Sequence, residues 1–114
     1  STHKELSQEV HQRAIQAFYN NNLHTTRDRT GILIMVSLLE HRAEILADTG
    51  INEKVPPRTW RKILNPMVKK IKKDDLTAGL CEAIQACGKI LDEHFPIKPD
   101  DKNELSNEVV TPDS

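Results

Sequence analysis

Apolar residues recur at Leu6, Val10, Ala14, Ala17 and Phe18, with Glu, Gln, Arg and His between them. That is the spacing of one helical face, and it predicts a helix over Lys4 to Asn22. The run Asn20-Asn21-Asn22 ends it, because asparagine competes for backbone hydrogen bonds and tolerates left-handed backbone. A polar loop, His24 to Thr30, leads to Gly31, and the period then changes. Ile32 to Leu38 is a nearly unbroken apolar strand, Arg42 to Asp48 reads as a second, and Leu39-Glu40-His41 is short enough to join them as a hairpin. An unbroken apolar strand is usually covered on both faces, so a central position between helical layers is expected. A lone two-stranded hairpin is only marginally stable. A partner on the far edge of residues 32–38 is therefore expected, yet no other segment reads as a strand.

Asp48-Thr49-Gly50 is predicted to be a turn with Gly50 at positive φ. Pro56-Pro57 opens the next helix, where Trp60, Ile63, Leu64, Met67, Val68 and Ile71 form a coherent apolar face. Pro66 lies inside it and is expected to kink it near Leu64–Asn65. Asp74-Asp75 is expected to cap a last helix carrying Leu76, Leu80, Ala83, Ile84, Cys87 and Leu91 and ending at His94-Phe95-Pro96. Small residues such as Ala78, Gly79 and Ala83 would let that helix approach a neighbour closely. Residues 1–96 thus form one domain, and 97–114, with two Lys against five Asp+Glu, are expected to be a mostly disordered acidic tail.

Composition narrows the function classes. The 114 residues allow one domain with one modest core. Sixteen Lys+Arg against 17 Asp+Glu give a net charge of -1, which exerts no global pull toward nucleic acid. The longest apolar run, Ile32 to Val36, is five residues, far below the roughly 20 a spanning helix needs. Two cysteines exclude a disulfide framework: Cys81 and Cys87 fall about 240° apart around one helix, and Cys87 reads as a small core hydrophobe.

Several phrases occur in order that resemble the TPM domain family. They are Thr30-Gly31-Ile32-Leu33-Ile34-Met35-Val36-Ser37-Leu38, then Ala47-Asp48-Thr49-Gly50-Ile51 with Glu53-Lys54-Val55, then Trp60, Leu76-Thr77-Ala78-Gly79-Leu80, Ala83-Ile84, Gly88 and His94-Phe95-Pro96. The likeness spans roughly residues 10–96, and Pro99 to Leu105 also looks like the tail of a bacterial membrane-protein subgroup. The resemblance implies an α/β fold, a small sheet whose central β-hairpin is covered by helices on both faces (an α/β/α sandwich). It also implies a further helix and strand ahead of this segment and, in the membrane subgroup, an upstream transmembrane segment. The expected placement is accordingly membrane-associated, and the unpaired cysteines and the basic residues of 56–73 point to a cytoplasmic side for this portion. A plant thylakoid relative is described as an acid phosphatase, some members bind divalent cations including calcium, and others are accessory factors in photosystem repair or act with membrane receptors.

On that likeness Asp48, at the end of the second strand, is carried over as a metal ligand for Ca2+ or Mg2+, with Asp28 and Thr30 more weakly supported; Glu53 or Asn52 could add an oxygen. A hairpin sets the start of one strand beside the end of the other, so Asp28 and Asp48 could converge. Against this, an Asp in such a place most often forms the turn itself, accepting backbone N–H bonds. Arg27 and Arg29, with Thr25-Thr26, could hold a phosphate for a metal-assisted phosphatase. However, no Cys-x5-Arg signature, phosphate-cradling glycine loop or Asp-x-Asp pair accompanies them. The five histidines (3, 11, 24, 41 and 94) show no zinc spacing and read as surface residues.

The sharpest feature is a charged face. Pro56 to Lys73 holds seven basic residues and no acidic one: Arg58, Arg61, Lys62, Lys69, Lys70, Lys72 and Lys73. On a helix they fill an arc from about 100° to about 280° measured from Trp60, opposite the apolar residues. Such a face suits an anionic membrane surface or an acidic protein partner. No nucleic acid is expected, because no aromatic residue interleaves the basic positions. A non-enzymatic interaction module is the leading expectation and the phosphatase the alternative.

Overall fold

The structure, a computed structural model, describes residues 2–101 and Thr111. The predicted acidic tail therefore lies largely outside the described residues. Four helices and one hairpin follow in the order α1 (His3–Asn20), β1 (Ile32–Ser37), β2 (Arg42–Ala47), α2 (Thr49–Asn52), α3 (Arg58–Lys72) and α4 (Leu76–His94), with a single 3₁₀ turn at Leu23–Thr25. Thr2 starts α1 through a capping box: its hydroxyl accepts from the Glu5 N–H and the Glu5 carboxylate accepts from the Thr2 N–H. The asparagine run ends α1 as expected, with Asn22 in the left-handed region at φ 59°.

β1 and β2 pair antiparallel from Ile32 opposite Ala47 to Ser37 opposite Arg42. The alternation sorts the strand residues cleanly. Ile32, Ile34, Val36, Ala43 and Ile45 face α3 and join a core with Met67, Ile71, Trp60, Ile63 and Leu64. The opposite face meets α1, where Glu44 contacts His11 and the Arg42 guanidinium donates to the His3 carbonyl at 3.0 Å. α1 buries Val10, Ala14 and Phe18, which are the predicted positions. α4 packs on α3 rather than on the sheet, and Gly79 brings the two close, since a Cβ there would stand 3.2 Å from the Met67 carbonyl oxygen. The fold is thus mixed α/β, a hairpin covered by helices on both faces.

The expected third strand has no counterpart among the described residues. The Asp48 N–H donates to the Gly31 carbonyl at 2.9 Å, which fixes the ladder phase: the main-chain groups of Ile32, Ile34 and Val36 point away from β2 and leave the edge of β1 open. On the β2 side, the Asn52 amide donates to the Ala47 carbonyl at 2.8 Å and covers that end.

Three local expectations are corrected. Gly50 does not adopt positive φ; it lies inside α2, and glycine is needed there because a Cβ would collide with the Asp28 and Arg29 carbonyl oxygens. The hairpin turn spans Leu38 to His41 rather than three residues, closed by the His41 N–H donating to the Leu38 carbonyl at 3.3 Å with His41 at φ 51°. Asp75 stands at the N-cap of α4 as expected, its carbonyl accepting from the Gly79 N–H at 3.1 Å, but its side chain makes no cap bond, and the pair also ends α3. Asp74 turns left-handed at φ 59°, and the Asp75 N–H returns to the Lys70 carbonyl at 2.8 Å. Through Pro66, α3 continues as one helix.

Candidate functional site

Two regions carry the sequence candidates. The first is the base of the hairpin. The strand register continues past β1 and β2: the Gly50 N–H donates to the Arg29 carbonyl at 2.9 Å, directly beyond the Gly31–Asp48 pair. Asp48 caps α2, its carboxylate accepting from the Thr49 N–H at 2.8 Å. The same carboxylate takes a two-pronged bond from Arg29, 2.7 Å from Nε and 3.0 Å from Nη2. Asp48 is only 5% exposed while the Arg29 side chain is half exposed, so the guanidinium lies over a buried carboxylate. Arg29 itself holds φ at 56°, an uncommon conformation for a non-glycine residue that the paired carboxylate helps to retain.

The Arg29 hydrogen bond is the first cause holding the Asp48 carboxyl below its ordinary value. Burial opposes it, and the Thr49 N–H and the Arg29 charge add to it. Asp48 therefore stays ionised, with both oxygens in use. Asn52 is committed as well: its amide covers Ala47, and its side-chain carbonyl accepts from the Trp60 indole N–H at 2.8 Å. Asp28 is exposed, and Glu53 is the exposed C-cap of α2. Among the described residues no group of three or more His, Cys, Asp or Glu side chains is placed to hold a metal ion. Arg27 pairs with Asp101 at 2.9 Å. The Thr26 hydroxyl, buried, accepts from the Thr30 N–H at 2.9 Å. So the structure does bring residues 26–30 and 48–52 together, but mainly through backbone and Arg29–Asp48 rather than by converging carboxylates.

One neighbour was not legible in the sequence. His24 packs against Tyr19 with ring centroids 4.7 Å apart and planes tilted by 52°, and its Nδ1 is buried without a hydrogen-bond partner among the described residues. Its lack of metal-ligand spacing left it among the surface histidines.

The second region is the outer face of α3. Arg58, Arg61, Lys62, Lys69 and Lys72 are exposed, as is Lys73 at its C-cap, while Lys70 is half-buried and meets Glu82 of α4. For the other six, no carboxylate among the described residues lies within ion-pair distance. The apolar side of the same helix is taken by β2 and α4, with Met67 and Ile71 buried. The lysines of the last turn sit where the helix dipole favours cations; Arg58, Arg61 and Lys62 sit near the other end, where it disfavours them and no acidic residue offsets the charge.

No helix among the described residues is long and apolar enough to cross a membrane. The two cysteines are unpaired in α4, Cys81 exposed and Cys87 buried, and burial pushes the Cys87 thiol up.

Comparison with known proteins places this architecture. No curated protein matches the chain. The NMR structure of the BA42 protein from the psychrophilic bacterium Bizionia argentinensis aligns with a TM-score of 0.77 and 33% identity, over 86% of this chain and 68% of that one. The sequence model of the TPM domain matches residues 1–90. The match to the TPM domain over residues 1–90, with a relative of the same fold at 33% identity over most of the chain, shows that this protein belongs to the TPM domain family.

Proposed function

We propose that this TPM domain is a non-enzymatic docking module whose working surface is the basic face of α3, and that it binds the anionic surface of a lipid bilayer. One observation carries the reading: six exposed cationic side chains occupy a single face with no carboxylate partner among the described residues. Half of them sit at the end of the helix where cations weaken it, so helix stability does not account for them. Each Lys or Arg near an anionic leaflet contributes on the order of 1 kcal/mol, and the sum is sensitive to salt. A quadruple variant, Arg61→Gln, Lys62→Gln, Lys69→Gln and Lys73→Gln, tests it in co-sedimentation with phosphatidylserine-containing vesicles. The expected result is a loss of binding of more than about tenfold, with the wild type itself released by salt. Equal binding by the variant would sink the reading.

A metal-assisted phosphatase is the second reading, favoured by the phosphatase in the matching family model's name. It is less well supported by the base of the hairpin, where a cation at Asp48 would have to displace Arg29 and the Thr49 N–H. Amide shifts at residues 28–30 and 48–53 on adding calcium, together with phosphomonoester hydrolysis lost in Asp48→Asn, would favour this reading.

A further inference from the structure

The hairpin turn is built from the wrong residues for a surface loop. Hairpin turns favour Gly, Asn and Asp, yet this one opens with Leu38 and carries Leu39 at its apex, 58% and 91% exposed. A single exposed leucine is ordinary; two in succession at the projecting end of a sheet make a small apolar prow. The turn is held on both flanks. Arg13 of α1 grips the Glu40 carboxylate with Nη2 at 2.9 and 3.2 Å, and Arg42 is tied to His3. Those contacts leave the two leucines outside the packing and limit how far the turn can fold back over them. The acidic groups beside the apex are occupied, Glu40 by Arg13 and Glu44 by His11.

The apex also lies at the lysine-rich end of the molecule. α3 begins at the base, where Trp60 bonds Asn52, and runs back along the sheet until Lys72 lines the same open groove as Glu40, Arg42 and Glu44. Lys69, Lys72 and Lys73 thus belong to the end from which Leu38 and Leu39 project.

We infer that Leu38 and Leu39 are an apolar anchor that enters the interfacial layer of an anionic bilayer while the lysines at the end of α3 hold its headgroups. This rests on the docking reading above and gives it an orientation, with the hairpin apex deepest. Charge at a surface without apolar contact is fully reversible by salt, whereas an inserted leucine pair adds a contribution that salt does not screen.

The test uses the 114-residue chain with phosphatidylcholine vesicles, with and without about one third phosphatidylserine. Leu38→Ser/Leu39→Ser should leave the circular dichroism spectrum unchanged, since both side chains are outside the core, and weaken partitioning about tenfold. Its remaining binding should vanish in high salt, where the wild type retains a fraction. In a separate Leu39→Trp variant, lipids brominated on their acyl chains should quench the introduced indole beyond the quenching of Trp60 in the wild type. If the serine variant binds as the wild type does, or the introduced indole escapes quenching, the anchor is refuted although electrostatic docking stands. Should the wild type bind neither vesicle, the docking reading and the anchor fall together.

Discussion

The base of the hairpin and the outer face of α3 use their polar and charged groups in opposite ways. At the base, Arg29 and Asp48 are matched to each other, Asn52 serves Trp60 and Ala47, and Thr26 serves Thr30. On α3, six cations face solvent with no carboxylate in reach among the described residues. Charges that satisfy one another build a joint; charges left without partners are available to something outside the molecule. The contrast separates charges that hold the fold together from charges for which the fold has no use.

Substitutions can break that contrast in a definite order. Gly50→Ala should do the most damage, because its Cβ has no route past the Asp28 and Arg29 carbonyl oxygens and the joint must open. A loss of about 3 to 5 kcal/mol is expected in urea unfolding, enough to leave little folded protein. Asp48→Asn comes next, at about 2 kcal/mol, since it removes the buried charge beneath Arg29 and breaks the two-pronged bond. The pH dependence follows from the sign of the shift. The folded carboxyl lies below its ordinary value, so its contribution is complete above the unfolded value of about 3.9 and disappears as pH falls through the folded one. Acid unfolding curves of wild type and Asp48→Asn should therefore converge at low pH and separate above it. Smallest is Arg58→Gln with Arg61→Gln, which should change stability by less than about 0.5 kcal/mol and in the stabilising direction, because both cations oppose the helix dipole. A destabilisation there would mean that the face is structural, and the distinction between the two regions would fail.

Periodicity alone disclosed most of the frame. The amphipathic spacing of α1 and α3 named Val10, Ala14, Phe18, Met67 and Ile71, and all five are buried. The change of period at Gly31 located the hairpin. The base was harder to read because its pairing is set across the sheet. Nothing near Asp48 in the sequence marks Arg29 as its partner until the register Ile32–Ala47 is known and extended outward. The same cause explains the error at Gly50. A glycine after Asp-Thr suggests backbone freedom, whereas here it is a clearance for the carbonyls of Asp28 and Arg29 in the loop before β1, visible only once the two segments are in contact. His24 was missed because a ring contact with Tyr19 has no sequence period.

The order in which elements touch has a kinetic consequence. β1 pairs with β2 and α3 with α4, two interfaces between immediate neighbours along the chain; β2 meets α3 across only the short α2, and α1 packs on the hairpin. No segment must wait for a distant one before its own contacts repay the entropy of closing a loop. Such a chain belongs among fast folders, with relaxation expected in about a millisecond or less.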